Sequence, residues 1–310
     1  MDRPASRDIV VRSGRNPLVS LSDLSFRAGD IWNAAVIRFR GAFLMLITIE
    51  ELEGHYSIYR ADSPDGEEFA VNPEPFMVRR QSCPEAGCES VGVRDPRITP
   101  LNGEYFITFV ADGDHGMRVA LARTTDFETV ERLGYLTQVD VKNGVMFPRR
   151  IDGKYVLLKR PDAGSSIWIS YSEDLEFWGG CGAVMAPRGG FWDSTRIGAS
   201  APPIEIDEGW LLIYYGEKGT SAGPLVRLGA AILDRDDPSK VLARSNVPIL
   251  APRERYERIG DLPNVVFSTS ALLEDGVINV YYGASDSCIC LGRVPLDVIV
   301  SACFEGGKEF

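Results

Sequence analysis

Short apolar runs rich in Val, Ile, Tyr and Phe recur along the chain, broken by Gly, Pro or Asp roughly every 8 to 12 residues. No long stretch carries apolar residues at helical spacing, so the pattern predicts strands. Five runs share one form, in which a turn glycine opens an aromatic or apolar segment. They read GAFLMLITIE from Gly41, GEYFITFVAD from Gly103, GKYVLLKRP from Gly153, GWLLIYYGE from Gly209 and GVINVYYGASD from Gly276. The copies lie roughly 50 to 67 residues apart, the period of one supersecondary unit. Asn102-Gly103, Asp152-Gly153, Glu208-Gly209 and Asp275-Gly276 place φ-tolerant residues where tight hairpin turns need them.

Each copy has strand-like neighbours. WNAAVIRFR, RDPRITPL, GVMFPRRI, SAPPIEI and VVFSTSALL precede the five turns, and VALARTTDFETV, IWISYSEDLEFW and LGAAILDRDDP follow three of them. Three or more strands per unit, repeated five times, predict an all-β chain folded as one five-bladed β-propeller over residues 1–310, in which radial repetition leaves only short sheet edges. A strand near Ile9 is expected to complete the last blade. A pair of β-sandwiches is the alternative arrangement.

Composition narrows the partners. The 310 residues hold 33 Lys and Arg against 44 Asp and Glu, a formal charge of −11. That sign argues against nucleic acid or an anionic membrane, which are held by a clustered cationic excess. No segment approaches the roughly 20 apolar residues of a membrane span, and the N-terminus has no apolar export core, so a cytoplasmic protein is expected. The six cysteines, Cys83, Cys88, Cys181, Cys288, Cys290 and Cys303, are then expected as free thiols. Their spacings, with only His55 and His115 beside them, fit no paired zinc pattern, so no metal site is expected.

A propeller builds its site at the centre, from the innermost strand of each blade. Counting back from each turn glycine brings Asn33, then Arg94, Asp95 and Arg97, then Lys142 and Asn143, then Asp193 and Arg196, and lastly Glu257 and Asn264 toward that centre. Polar residues recur at matched phase among apolar ones, which a purely structural core does not need. Lys142, Arg160 and Arg196 converging on one funnel make an anion site with a carboxylic acid beside it. Each has a structural alternative: Asp95 precedes a proline and could open a turn, Arg160 and Arg196 could pair with Asp162 or Asp193, and Trp32 and Trp192 could pack blades.

In RDPRIT (94–99), KNGVMFPRRIDGKYVLLKRP (142–161), WDSTRIGASAPPI (192–204), EGWLLIYYG (208–216), RLGAAILDRDDPSKV (227–241), YERIGDLPNVVF (256–267) and YYGASD (281–286) the chain resembles glycoside hydrolase family 130, the mannoside phosphorylases and related mannosidases. The resemblance implies a five-bladed propeller, with Asp95 as proton donor acting through the 3-hydroxyl of the mannosyl unit. Inorganic phosphate then attacks the anomeric carbon from the opposite face, giving α-mannose 1-phosphate with inversion. It further implies a phosphate clamp of Lys142, Asn143, Arg160, Arg196 and Tyr215, and sugar contacts from Asn33, Arg97, Asp193 and Asp286. The expected partners are a β-mannoside oligosaccharide and phosphate as co-substrate, with no cofactor. Assembly into a homo-oligomer is left open.

The chain departs from the phosphorylase pattern at four positions: Arg94 replaces a Glu, Thr48 an Arg, Tyr215 a His and Val226 a Tyr. These departures keep a hydrolase in view, because an inverting mannosidase needs a carboxylate to activate water, and Glu217 or Glu257 could supply it. A related mannosyltransferase and a non-enzymatic sugar-binding propeller complete the alternatives.

Overall fold

A computed structural model describes residues 8–80 and 86–305; Cys83 lies outside them. The chain is all-β apart from the α-helices Arg255–Arg258 and Leu296–Glu305 and three single 3-10 turns among the described residues. Its strands fall into five antiparallel units in chain order. The first holds Asp30–Phe39, Ala42–Glu50, Tyr56–Ser63 and Ala70–Met77; the second holds Gly92–Leu101, Glu104–Asp112, Arg118–Thr124 and Glu131–Tyr135. One parallel pair, Tyr56 with Gly92, joins these two into an eight-stranded sheet. The third is Val141–Met146, Tyr155–Pro161, Ile167–Ser172 and Gly179–Met185. In the fourth, Arg196–Ala199 and Ile204–Ile206 both pair with Gly209–Thr220, followed by Gly223–Leu233 and Val241–Arg244. The fifth is Val266–Glu274, Val277–Ala284 and Cys288–Pro295, and N-terminal Val11–Arg12 pairs with its last strand.

The turn glycines sit where the repeat puts them. Asn102-Gly103, Asp152-Gly153 and Asp275-Gly276 have positive φ at both residues, as does Arg40-Gly41, which is the two-residue turn matched to strand twist. The fourth copy differs. Glu208 does not share that conformation, and Gly209 begins the strand at φ +138, where a Cβ would clash with the Leu233 carbonyl oxygen at 2.2 Å.

Alternation along each strand divides its side chains between two neighbours. Ala35, Ile37 and Phe39 pack with Val93, Ile98 and Ile107 of the second unit, whereas Ala34 and Val36 pack with Tyr281, Ile289 and Leu291 of the fifth. The other three apolar clusters join units two and three, three and four, and four and five. Strands buried on both faces explain why the runs read as nearly continuous apolar sequence. Helix Leu296–Glu305 inserts Ile299 and Cys303 into the cluster between units four and five. Its β-branched sequence gave no helical signal, so packing overrides local propensity there.

Candidate active site

A bulge in the first strand of successive units turns a polar side chain inward. The register slips between Trp32 and Ala34, between Arg94 and Arg97, and between Lys142 and Val145. Within these slips Asn33, Asp95 and Asn143 adopt left-handed backbone, φ 46, 56 and 55. Asn and Asp tolerate that conformation best after glycine, and a bulge re-aims a side chain out of the ladder. Asp286 arrives differently, in the Ser285-Asp286 turn, also at positive φ.

These residues line one cavity of about 410 Å³ together with Arg94, Lys142, Arg196, Tyr215 and Glu217. Its remaining wall is apolar: Ala222, Pro224, Val226, Leu262, Pro263, Val265 and Phe267. The two parts of that wall are tied by the Val226 N–H, which donates to the Asn264 carbonyl at 3.1 Å.

Asp95 is held from every side. Its Oδ1 accepts from Asn33 Nδ2 at 2.8 Å and its Oδ2 from Arg94 Nη1 at 3.1 Å. Its N–H donates to Thr48 Oγ1 at 3.0 Å, and its carbonyl accepts from Arg97 Nη1 at 2.9 Å. Burial alone would raise the carboxyl's pKa, but Arg94, Arg97, the Asn33 hydrogen bond and Lys142 outweigh it and hold Asp95 below the usual range. Asp286 goes the other way. Burial, then the charges of Asp95, Asp261 and Asp30, push it up to about 7 against the pull of Arg94. Asp95 and Asp286 are thus driven apart, the first toward the ionised form and the second toward titration near neutrality.

The cations are arranged unequally. Arg94 is paired, to Asp95 and at 2.9 Å to Asp112. Arg196 is paired with Glu217 at 2.5 Å. Lys142 has no carboxylate partner among the described residues; its Nζ lies 4.0 Å from Met117 Sδ. Burial, and repulsion from Arg94 and Arg160, lower its pKa. Arg160 stands fully buried one layer behind, donating through Nε to Asn143 Oδ1 at 3.1 Å and pairing with Asp162 at 2.5 Å. Its Nη2 has no hydrogen-bond partner among the described residues. Tyr215 Oη donates to the same Asn143 oxygen at 3.3 Å; Gly198 permits this, since a Cβ there would sit 2.4 Å from the Tyr215 ring.

Like Arg160, the expected site residues Arg97, Asp193 and Glu257 do not line the cavity. Arg97 is buried and bridges the carbonyls of Asp95 and Ser200, so it orients the Asp95 backbone rather than reaching the cavity. Asp193 is saturated by Arg188, Arg244 and the Tyr214 hydroxyl. Glu257 is likewise saturated, by Arg12, the Tyr282 hydroxyl and the N–H groups of Arg253 and Glu254, and has no free oxygen with which to activate water. Polar spacing alone cannot separate an inward side chain from one consumed by neighbours. Trp32 and Trp192 also stay outside, against Tyr56 and Tyr214. Arg94, which the repeat brings toward the centre and which departs from the phosphorylase pattern, lines the cavity and touches Asp95. Thr48, another of the four departures, supports the same residue.

The family model described as beta-1,4-mannooligosaccharide phosphorylase matches residues 6–305. The chain is 34% identical over 289 residues to a 1,2-beta-oligomannan phosphorylase of Thermoanaerobacter sp. (strain X514), covering 89% of this chain and 94% of that one. It is 31% identical over 312 residues to a beta-1,4-mannooligosaccharide phosphorylase of Ruminococcus albus, covering 96% and 92%. The solved beta-1,2-mannobiose phosphorylase of Listeria innocua, in complex with beta-1,2-mannobiose, superposes with a TM-score of 0.86 at 28% identity, covering 95% of this chain and 99% of that one. A match across nearly its whole length places the chain in glycoside hydrolase family 130.

Proposed function

We propose that this protein is a glycoside phosphorylase that cleaves β-linked mannosides with inorganic phosphate, inverting the anomeric centre to release α-mannose 1-phosphate and a shortened sugar. The relatives named as mannoside phosphorylases support the reaction class. The observation that carries it at this site is Lys142, a part-buried ammonium without a carboxylate, beside Arg160 and Asn143 and in the cavity that Arg196 also lines. A part-buried cation with no ion-pair partner at contact distance favours an anion beside it, and phosphate supplies one that is already ionised and needs no base. In this reading Asn33 and Asp286 hold sugar hydroxyls, and Arg97 fixes the backbone that carries the acid.

Asp95 is the proton donor of the proposal, although the cations around it favour its ionised form. Phosphate binding beside Lys142 and Arg94 offsets the charges that hold its pKa down, so the acid gains its proton when the nucleophile arrives. The five units form the blades of one five-bladed propeller over residues 1–310. The cyclic set of five apolar clusters, with unit five packed on unit one, supports this arrangement. A cytoplasmic setting, where a phosphorylated sugar is retained, belongs to the same proposal.

Incubation with β-1,2- and β-1,4-mannobiose, with and without phosphate, tests it. Sugar phosphate formed only with phosphate is expected. Mannose release independent of phosphate would instead favour hydrolysis, with Glu217 in the cavity as the base.

A further inference from the structure

A second cavity, of about 580 Å³, opens between units two and three on the other side of the strand that carries Arg160. Alternation sends Arg160 toward the central site and its neighbour Lys159 into this one. Lys159 is only 6% exposed, yet no carboxylate pairs with it among the described residues. Among the described residues the one hydrogen-bond contact of its ammonium is Cys181 Sγ at 3.7 Å, a weak acceptor. Trp168, its partner across the strand pair, lines the same cavity, and its buried Nε1 has no acceptor among the described residues. Trp178 forms another wall, its ring fixed by a bond from Nε1 to the Leu175 carbonyl at 3.0 Å. The lining carboxylate, Glu176, is exposed to solvent.

Two buried groups that can only donate hydrogen bonds, one of them charged, meet in a space walled by indoles. A neutral hydroxyl would satisfy Trp168 but leave the ammonium uncompensated. We propose that this cavity is a second ligand site that binds a hexose phosphate, with phosphate oxygens on Lys159 and Trp168 and the pyranose face against Trp178. Apolar sugar faces stack on indole, and an ammonium in a desolvated site holds phosphate strongly.

The mannosyl probe is taken from the proposed reaction, but the site is not. Turnover reports on the central cavity and the Trp168 signal on this one, so either reading can fail alone. Protein labelled with ¹⁵N at its five tryptophan indoles is titrated with α-mannose 1-phosphate, inorganic phosphate and mannose. The Trp168 signal, assigned with Trp168→Phe, should move saturably with the sugar phosphate, at least tenfold more weakly with phosphate, and not with mannose. Lys159→Met should weaken the response about tenfold or more, while the other four indole signals report that the fold is kept. A Trp168 signal unmoved by sugar phosphate would overturn the proposal, whatever the variant does. So would equal response to mannose or to phosphate alone, or an undiminished response in folded Lys159→Met.

Discussion

Replacing Arg94 with Met removes the guanidinium that, among the described residues, directly contacts the Asp95 carboxylate, 3.1 Å from Oδ2, and leaves Asn33, Arg97 and Lys142 in place. Both side chains of the pair are largely buried, so solvent screens them little. Two unit charges at this distance interact by about 5 kcal/mol at an effective dielectric near 20, an upper bound because water and the remaining cations relax around the loss. A neighbouring arginine lowers an aspartate by about 1–3 pKa units, and with Arg97 and Lys142 still acting, a rise of about 1–2 units is expected at Asp95. A proton donor must be protonated when it acts, so activity falls on the alkaline side as the donor ionises. The alkaline limb of the kcat/KM profile for the mannoside, measured at saturating phosphate, should therefore move up by about 1–2 pH units in Arg94→Met, relative to wild type. Arg94→Lys, which keeps the charge, should leave the limb near its wild-type position. A lower kcat/KM with an unshifted limb would refute the reasoning, because it would mean that Arg94 shapes the cavity without setting the acid.

Three further changes probe the carboxylates of the cavity directly. Asp95→Asn should lower kcat by 10²-fold or more while thermal unfolding still shows a folded protein; full activity would remove Asp95 from the chemistry. Glu217→Gln releases Arg196 from its ion pair and should lower KM for phosphate several-fold, whereas loss of a phosphate-independent mannose release would identify Glu217 as a base. Asp286 has a raised folded pKa, about 7 against 3.8, so the folded state holds a proton that the unfolded chain has lost. Its contribution is therefore present below about pH 4 and is lost as pH rises through 7. Asp286→Asn should consequently raise stability at pH 8 by about 1–3 kcal/mol and leave it nearly unchanged at pH 4, read by denaturant unfolding; equal effects at both pH values would contradict the assignment.

Much of the fold was legible because both of its devices are local. Turn glycines at Gly41, Gly103, Gly153 and Gly276 announce hairpins, and apolar runs buried on both faces announce strands packed between neighbours. Helix Leu296–Glu305 escaped because only its packing partners make it helical. In the site, Asn33, Asp95 and Asn143 were readable from their matched phase, and the bulges that turn them inward follow from residue types suited to left-handed backbone. Arg97, Asp193 and Glu257 share that phase but are consumed by long-range partners such as Ser200, Arg244 and Arg12. Those partners are distant in sequence, so no local pattern foretells them. The apolar wall from Pro224 to Phe267 was missed for the same reason, being assembled from two segments joined only in space.

The most direct test of the central claim is the anomeric configuration of the first product, followed by proton and phosphorus NMR as β-mannobiose is consumed in the presence of phosphate. Direct displacement by phosphate in the Lys142 cavity gives α-mannose 1-phosphate from the first turnover. The β anomer, or free mannose formed at the same rate when phosphate is withheld, would contradict it.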